Sequence, residues 1–311
     1  MGYAYDDRWK KMTIANFFKR RLIRLQPMVI MGMIIGALCF YFQDCNLWAN
    51  IHAVPVWKII LVMLFSFTIL PLLPSSDIRG WNEMYPLNGP GWSLFYEYIA
   101  NILYALVIRK FSQTALKMLV FLAACALIEF TLTNATGDVI GGWSLEADQI
   151  RVGVTRLIYP FFAGLLLSRI GKSFHVNRAF LWCSLLLVFV LSMPRIESSE
   201  HLWENGLYDT LIIIFIFPFI VILGAGGEIK NNFTKNLCQF FGDISYPIYI
   251  THYPLIYIYT AWLANNKVKM QAGFLVAILV YACIIIIAYA CLKFYDAPVR
   301  LWLSNRFIQR T

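Results

Sequence analysis

Three groups of polar residues lie inside or against long apolar runs of this 311-residue chain. An ionisable side chain at membrane depth costs about 2.5–3.5 kcal/mol on insertion scales, so each group asks for a function or a partner. The first is Pro86-Leu-Asn-Gly-Pro-Gly-Trp-Ser-Leu-Phe-Tyr-Glu97. Trp92 and Ser93 open a helix after the Pro/Gly turn. Ser93, Glu97, Asn101 and Tyr104 then follow at steps of four, four and three, which sets them on one helix face. Glu97 can act there as a base, an acid or the partner of a cation. The structural alternative is a helix-end Glu paired with an Arg of a neighbouring helix.

The second group is Gly242-Asp-Ile-Ser-Tyr-Pro-Ile-Tyr-Ile-Thr-His-Tyr-Pro254. Ser245, Tyr249, His252 and Tyr259 share a face. Pro247 and Pro254 cannot donate, so the carbonyls of Asp243 and Ile250 lose their helical partners. A kinked helix with freed carbonyls and a polar stripe is a way to line a cavity in a membrane. His252 fits general acid/base work or a substrate contact; a neutral His making one interhelical hydrogen bond fits equally. The third group is Arg20, Arg21 and Arg24, running into an apolar stretch at Pro27. Guanidinium forks suit phosphate oxygens, whereas positive-inside anchoring explains the same residues without a ligand. Arg156, ahead of Leu-Ile-Tyr-Pro-Phe-Phe-Ala-Gly, is a similar candidate.

The elements that must position these residues are membrane helices. Hydrophobic residues make up 60% of the chain and charged residues 14%, against about 45–50% and about 25% in soluble domains. Mean hydropathy is +0.65. This balance excludes a disordered chain, a coiled coil and a soluble globular enzyme. Nine apolar stretches are visible: Leu22–Phe42, Val56–Leu73, Trp92–Ile108, Ala115–Leu132, Arg156–Ile170, Phe180–Met193, Leu207–Leu223, Ile244–Leu263 and Phe274–Leu292. The expected fold is all-α, a polytopic transmembrane bundle of eight to nine hydrophobic helices forming one domain over 1–311.

The net charge of +9 sits between the stretches rather than on a nucleic-acid surface, so no nucleic-acid partner is expected. Basic segments at 1–21, 109–117 (Arg109, Lys110, Lys117), 169–178 (Arg169, Lys172, Arg178) and 293–311 (Lys293, Arg300, Arg306, Arg310) read as cytoplasmic. The loops with Asp138, Glu146, Asp148, Glu197, Glu200 and Glu204 read as external. Two cytoplasmic termini require an even number of crossings. Val56–Leu73, which ends in Leu-Pro-Leu-Leu-Pro, is therefore the suspected re-entrant or partial helix, leaving eight. The seven cysteines have no CxxC spacing and the four histidines are scattered, so neither a disulfide framework nor a metal site is expected.

In order along the chain, these segments resemble the acyltransferase 3 family of integral membrane acyltransferases. The matching motifs are Arg20-Arg21-Leu-Ile-Arg24-Leu-Gln-Pro27, Trp92-Ser-Leu-x-x-Glu97, Arg156 ahead of Pro160-Phe-Phe-x-x-Gly164, Gly242-x-x-Ser245-Tyr246-x-x-Tyr249-x-x-His252-x-Pro254, and Asp296-Ala-Pro298 in place of Glu-x-Pro. The resemblance implies a bacterial inner-membrane protein. It implies acyl-CoA, often acetyl-CoA, as a cytoplasmic donor substrate with no tightly bound cofactor. The implied acceptor is a hydroxyl of a cell-envelope or exported carbohydrate. With such an activity, Arg20, Arg21 and Arg24 are the candidate donor-phosphate contacts, and Trp92, Ser93, Ser245, Tyr246, Tyr249 and Arg156 the candidate substrate-binding residues. One departure matters: the family begins with a helix carrying an Arg and then a catalytic His, and nothing here matches it. The sequence therefore reads as truncated by about two N-terminal helices. That leaves the catalytic residue unassigned, with Glu97 and His252 as candidates, and leaves open whether the chain as given is active. The competing readings are a transporter or flippase of a polar glycan intermediate and a non-catalytic remnant.

Overall fold

A computed structural model describes residues 1–48, 51–134, 137–171, 175–196, 201–229 and 231–308. Lys172, Glu197, Glu200 and Arg310, placed above among the loop charges, lie outside the described residues. Each of the nine apolar stretches carries a helix: α1 Ile14–Phe42, α2 Val56–Ser66, α3 Gly91–Leu106, α4 Gln113–Thr133, α5 Ala147–Ile170, α6 Ala179–Leu191, α7 Leu202–Ala225, α8 Asn232–Asn265 and α9 Phe274–Phe307. The described residues hold no strand, only two isolated bridges. Five of the helices, α1, α4, α5, α7 and α9, are long and apolar enough to cross a membrane by length and composition. The larger count of eight to nine is not reached on that measure. α2 has 11 residues, a rise of about 16 Å against a hydrocarbon core of about 30 Å. It stops at Ser66, and Ile69 beyond it has φ +59°.

Sequence chemistry explains the helix starts. Thr13 caps α1 by accepting from the Asn16 N–H at 3.2 Å, and Ser112 caps α4 by accepting from the Ala115 N–H at 3.1 Å. α6, α7 and α9 leave large apolar side chains outward, such as Leu185, Val188, Leu191, Phe215 and Leu279. A helix apolar all round suits lipid.

Two compact units are formed, each from three chain segments. The first comprises Met1–Met12, Ile99–Gly142 and Arg151–Asn236. Ala123, Leu127, Tyr159 and Ala163 form one of its cores, and a Thr131–Thr210 hydroxyl pair lies buried within it. The second comprises Thr13–Tyr98, Trp143–Ile150 and Leu237–Thr311. Its core includes Phe40, Trp48, Val62, Leu72, Leu87 and Tyr257. At Gly36, α1 runs against the chain at Leu87. A Cβ there would sit 2.3 Å from the Leu87 carbonyl oxygen, so only glycine permits the approach.

A buried polar network fastens the segment 67–90, which holds one short 3₁₀ helix at Pro74–Ser76, into the second unit. Arg79 is 2% exposed. Its guanidinium lies over the rings of Tyr257, Trp48 and Phe40 at 3.6, 4.8 and 5.1 Å. It donates from Nε to Pro86 O (2.9 Å) and from a terminal nitrogen to Gln43 Oε1 (3.2 Å). Gln43 in turn donates to Tyr257 O at 3.0 Å. The Tyr257 hydroxyl reaches both carboxylate oxygens of the buried Glu83, at 2.9 and 2.8 Å, while Arg79 Nε stays 4.0 Å from it.

Burial pushes the Glu83 carboxyl up to about 7, against the opposing pull of the Tyr257 hydrogen bond and the Arg79 charge. The folded protein therefore holds a proton on Glu83 that the unfolded chain has already lost between about pH 4.5 and 7. Stability should fall as pH rises through that window, by about 3 kcal/mol in all, and level off above it. Melting curves of the purified protein between pH 4.5 and 8 test this. Glu83→Gln is expected to flatten the slope; an unchanged slope in that variant would assign it to another group.

Candidate functional site

The polar residues of α1, α3 and α8 meet in the second unit. Arg21, on α1, turns inward. Its side chain is 9% exposed, and a terminal guanidinium nitrogen donates to Glu97 Oε1 on α3, whose side chain is 42% exposed. Arg20 is half-buried and Arg24 exposed. The three arginines therefore do not form one clamp: Arg21 is committed to a carboxylate. One turn before Glu97, the Ser93 hydroxyl bonds the Tyr249 hydroxyl of α8. Both hydroxyls also reach the Pro90 carbonyl at 3.2 Å. Trp92 stands beside them, its ring edge-on to Tyr96 at 5.9 Å.

α8 is tied to its neighbours by the carbonyl that Pro254 releases. Asn88 donates its side-chain amide to Ile250 O at 2.8 Å, replacing the missing backbone donor. Tyr246 donates to Leu25 O of α1 at 2.8 Å, and Tyr98 of α3 donates to the Gln26 side chain at 3.0 Å. α1, α3 and α8 are thus joined by side-chain hydrogen bonds at the depth where the candidate residues sit.

His252 is half-buried. Its Nδ1 lies 2.8 Å from Tyr249 O and 3.1 Å from Ile248 O. Carbonyls only accept, so in the neutral ring Nδ1 carries the proton and Nε2 keeps its lone pair. Nε2 makes no hydrogen bond to any described residue. An imidazole fixed by its own helix, with the basic nitrogen open, has the geometry of a general base.

Two predicted residues have other hydrogen-bond partners. Ser245 is exposed and its hydroxyl is spent on Gly242 O at 2.8 Å, so it does not join the Ser93–Tyr249 pair it was expected to accompany. Arg156 belongs to the first unit, where it donates to Gly141 O at 2.7 Å. Asn88, Gln26 and Tyr98 were not foreseen. The Pro86–Gly91 turn could have pointed to Asn88, because a freed carbonyl at Ile250 was itself legible and needed a donor. No group of three or more metal-ligating side chains forms among the described residues.

Against known families, a model described as an acyltransferase domain, Acyl_transf_3, matches residues 2–293. No curated protein and no solved structure matches the chain.

Proposed function

The chain belongs to the Acyl_transf_3 acyltransferase family, and from that premise we propose that it moves an acyl group, typically acetyl, from acyl-CoA to a carbohydrate hydroxyl. The acceptor is a cell-envelope or exported glycan, and the protein sits in a bacterial inner membrane with eight crossings. Family membership makes it a multi-pass membrane acyltransferase in general terms. The observation that carries the finer reading is the joining of Arg21–Glu97, Ser93–Tyr249 and the open Nε2 of His252 on three helices that hydrogen-bond one another.

That geometry supports a direct transfer. The acceptor hydroxyl oxygen attacks the thioester carbonyl, its proton passes to His252 Nε2, and the C–S bond breaks to release the thiolate of CoA, which takes up a proton. Ser93, Tyr249 and Tyr246 orient the acceptor through hydroxyl contacts, and Trp92 offers an aromatic face beside them. Arg20 and Arg24 meet donor phosphates. Arg21 is a positioning residue that holds the Glu97 side chain in place. Arg156 and Ser245 are given no role in transfer.

The test is radiolabelled acetyl-CoA supplied to membranes containing the chain and a cell-envelope glycan fraction. Label should enter the glycan with matching release of CoA thiol, and Glu97→Gln should lower the rate about tenfold or more. Label no higher than in membranes lacking the chain would overturn the reading. Glycan crossing the membrane without thiol release would replace it with transport.

A further inference from the structure

The first unit contains a cavity of about 290 Å³ lined by Asp6, Trp9, Arg109, Lys110 and Arg169. Three cations face one carboxylate there, so the cavity carries an excess of two positive charges. That excess does not come from Arg169. Its side chain is 14% exposed, and its Nε is matched to Asp6 at 2.8 Å. Its other nitrogens donate to Phe111 O at 2.6 Å and Arg109 O at 3.1 Å. Arg169 is the brace of the cavity, and Asp6 neutralises it.

Arg109 and Lys110 supply the excess. Arg109 is half-buried, lies with its guanidinium 4.1 Å from the centre of the Trp9 ring, and has no carboxylate partner among the described residues. Its Nε is buried without any hydrogen bond. The Trp9 ring is pinned from behind by its indole N–H to the Tyr104 hydroxyl at 3.1 Å. A stacked guanidinium with unused donors, next to an exposed lysine, is short of an anion: desolvating a cation without a partner is costly.

We infer that this cavity is a phosphate site, in which Arg109 and Lys110 grip a phosphate group over the floor of Trp9 and the Asp6–Arg169 brace. Phosphate suits the two uncompensated charges and the planar fork of Arg109 better than a single carboxylate does. The volume is far above the ~30 Å³ share of one water and just under the ~300 Å³ at which small-molecule pockets begin, so it takes a headgroup and not a whole donor molecule. A lipid phosphate and the phosphate of a soluble nucleotide share that chemistry. The positive-inside anchoring read from the sequence explains why Arg109 and Lys110 lie near the cytoplasm, but not why Arg109 is left stacked and unpaired beside a cavity. The inference rests on the first unit alone and does not depend on the acyl-transfer reading.

Four purified proteins test it: wild type, Arg109→Gln, Lys110→Gln and, as a control from the same basic stretch outside the cavity, Lys117→Gln. Adenosine 3′,5′-bisphosphate and inorganic phosphate are titrated in calorimetry, and retention of phosphatidic acid is read by native mass spectrometry. A soluble-phosphate site predicts binding of the nucleotide by wild type and Lys117→Gln, weakened about tenfold in both cavity variants, the loss expected for one charge-assisted hydrogen bond. A lipid site predicts the same pattern in phosphatidic acid retention. Lys110 is exposed, so its variant reports even where Arg109→Gln folds poorly. Equal binding of each of the three probes by all four proteins, or binding of none, overturns the inference.

Discussion

Above about pH 7, where Glu83 is ionised, replacing Arg79 with methionine is expected to destabilise the protein by about 3–5 kcal/mol, the range for removing one partner of a buried ion pair. The volume is nearly kept, so the loss is electrostatic. Glu83 stays 5% exposed with its nearest cation gone, and the Gln43 side-chain oxygen and Pro86 carbonyl each lose a donor. Arg79→Lys should recover little, because an ammonium cannot both stack on Tyr257 and fork to Pro86 and Gln43. Above about pH 7, adding Glu83→Gln to Arg79→Met should return part of the loss, since it removes a carboxyl that must otherwise be buried charged or kept protonated. Melting curves of wild type, Arg79→Met, Glu83→Gln and the double variant in one detergent check this as a double-mutant cycle, and additive losses would show that the two side chains do not interact. Acyl transfer should fall with stability in Arg79→Met, because segment 67–90 leads directly into Asn88, Trp92 and Ser93.

Helix placement was legible because hydropathy alone decides it in a chain this apolar. Each predicted stretch holds a helix, and the suspicion against Val56–Leu73 finds its physical ground at Ser66, where the helix gives out ahead of Ile69 and Pro71. The type of partner for Glu97 was legible too, since an intramembrane carboxylate calls for a cation. Its identity was not, because Arg21 lies 76 positions away and three neighbouring arginines offered the same chemistry. The Arg79 cluster escaped the sequence for a different reason. Its charges lie outside the apolar stretches, where a loop Arg and Glu read as solvated, and only the tertiary closure of Phe40, Trp48 and Tyr257 over them makes the pair buried. For Ser245 the sequence reached less far: helical phase placed it with Tyr249 and His252, but phase fixes a face and not what covers it, and Ser245 is exposed.

The histidine is where the transfer reading is most exposed to refutation. His252→Ala should lower kcat by about 10²–10⁴-fold, the usual contribution of a general base, and added imidazole should restore part of the rate by occupying the space left. Tyr249→Phe removes a hydroxyl shared with Ser93 and Pro90 and no proton acceptor, so it should raise KM for the glycan while sparing kcat. That split separates a base from a binding group; a merely structural histidine would lower both parameters with stability and gain nothing from imidazole. The backbone anchoring of Nδ1 adds a further constraint. His252→Gln can offer its amide to the same carbonyls, Ile248 and Tyr249, and so keep the fold, but it carries no basic nitrogen. Full activity in His252→Gln would remove His252 from the chemistry and leave Glu97, held by Arg21, as the remaining ionisable candidate on these three helices.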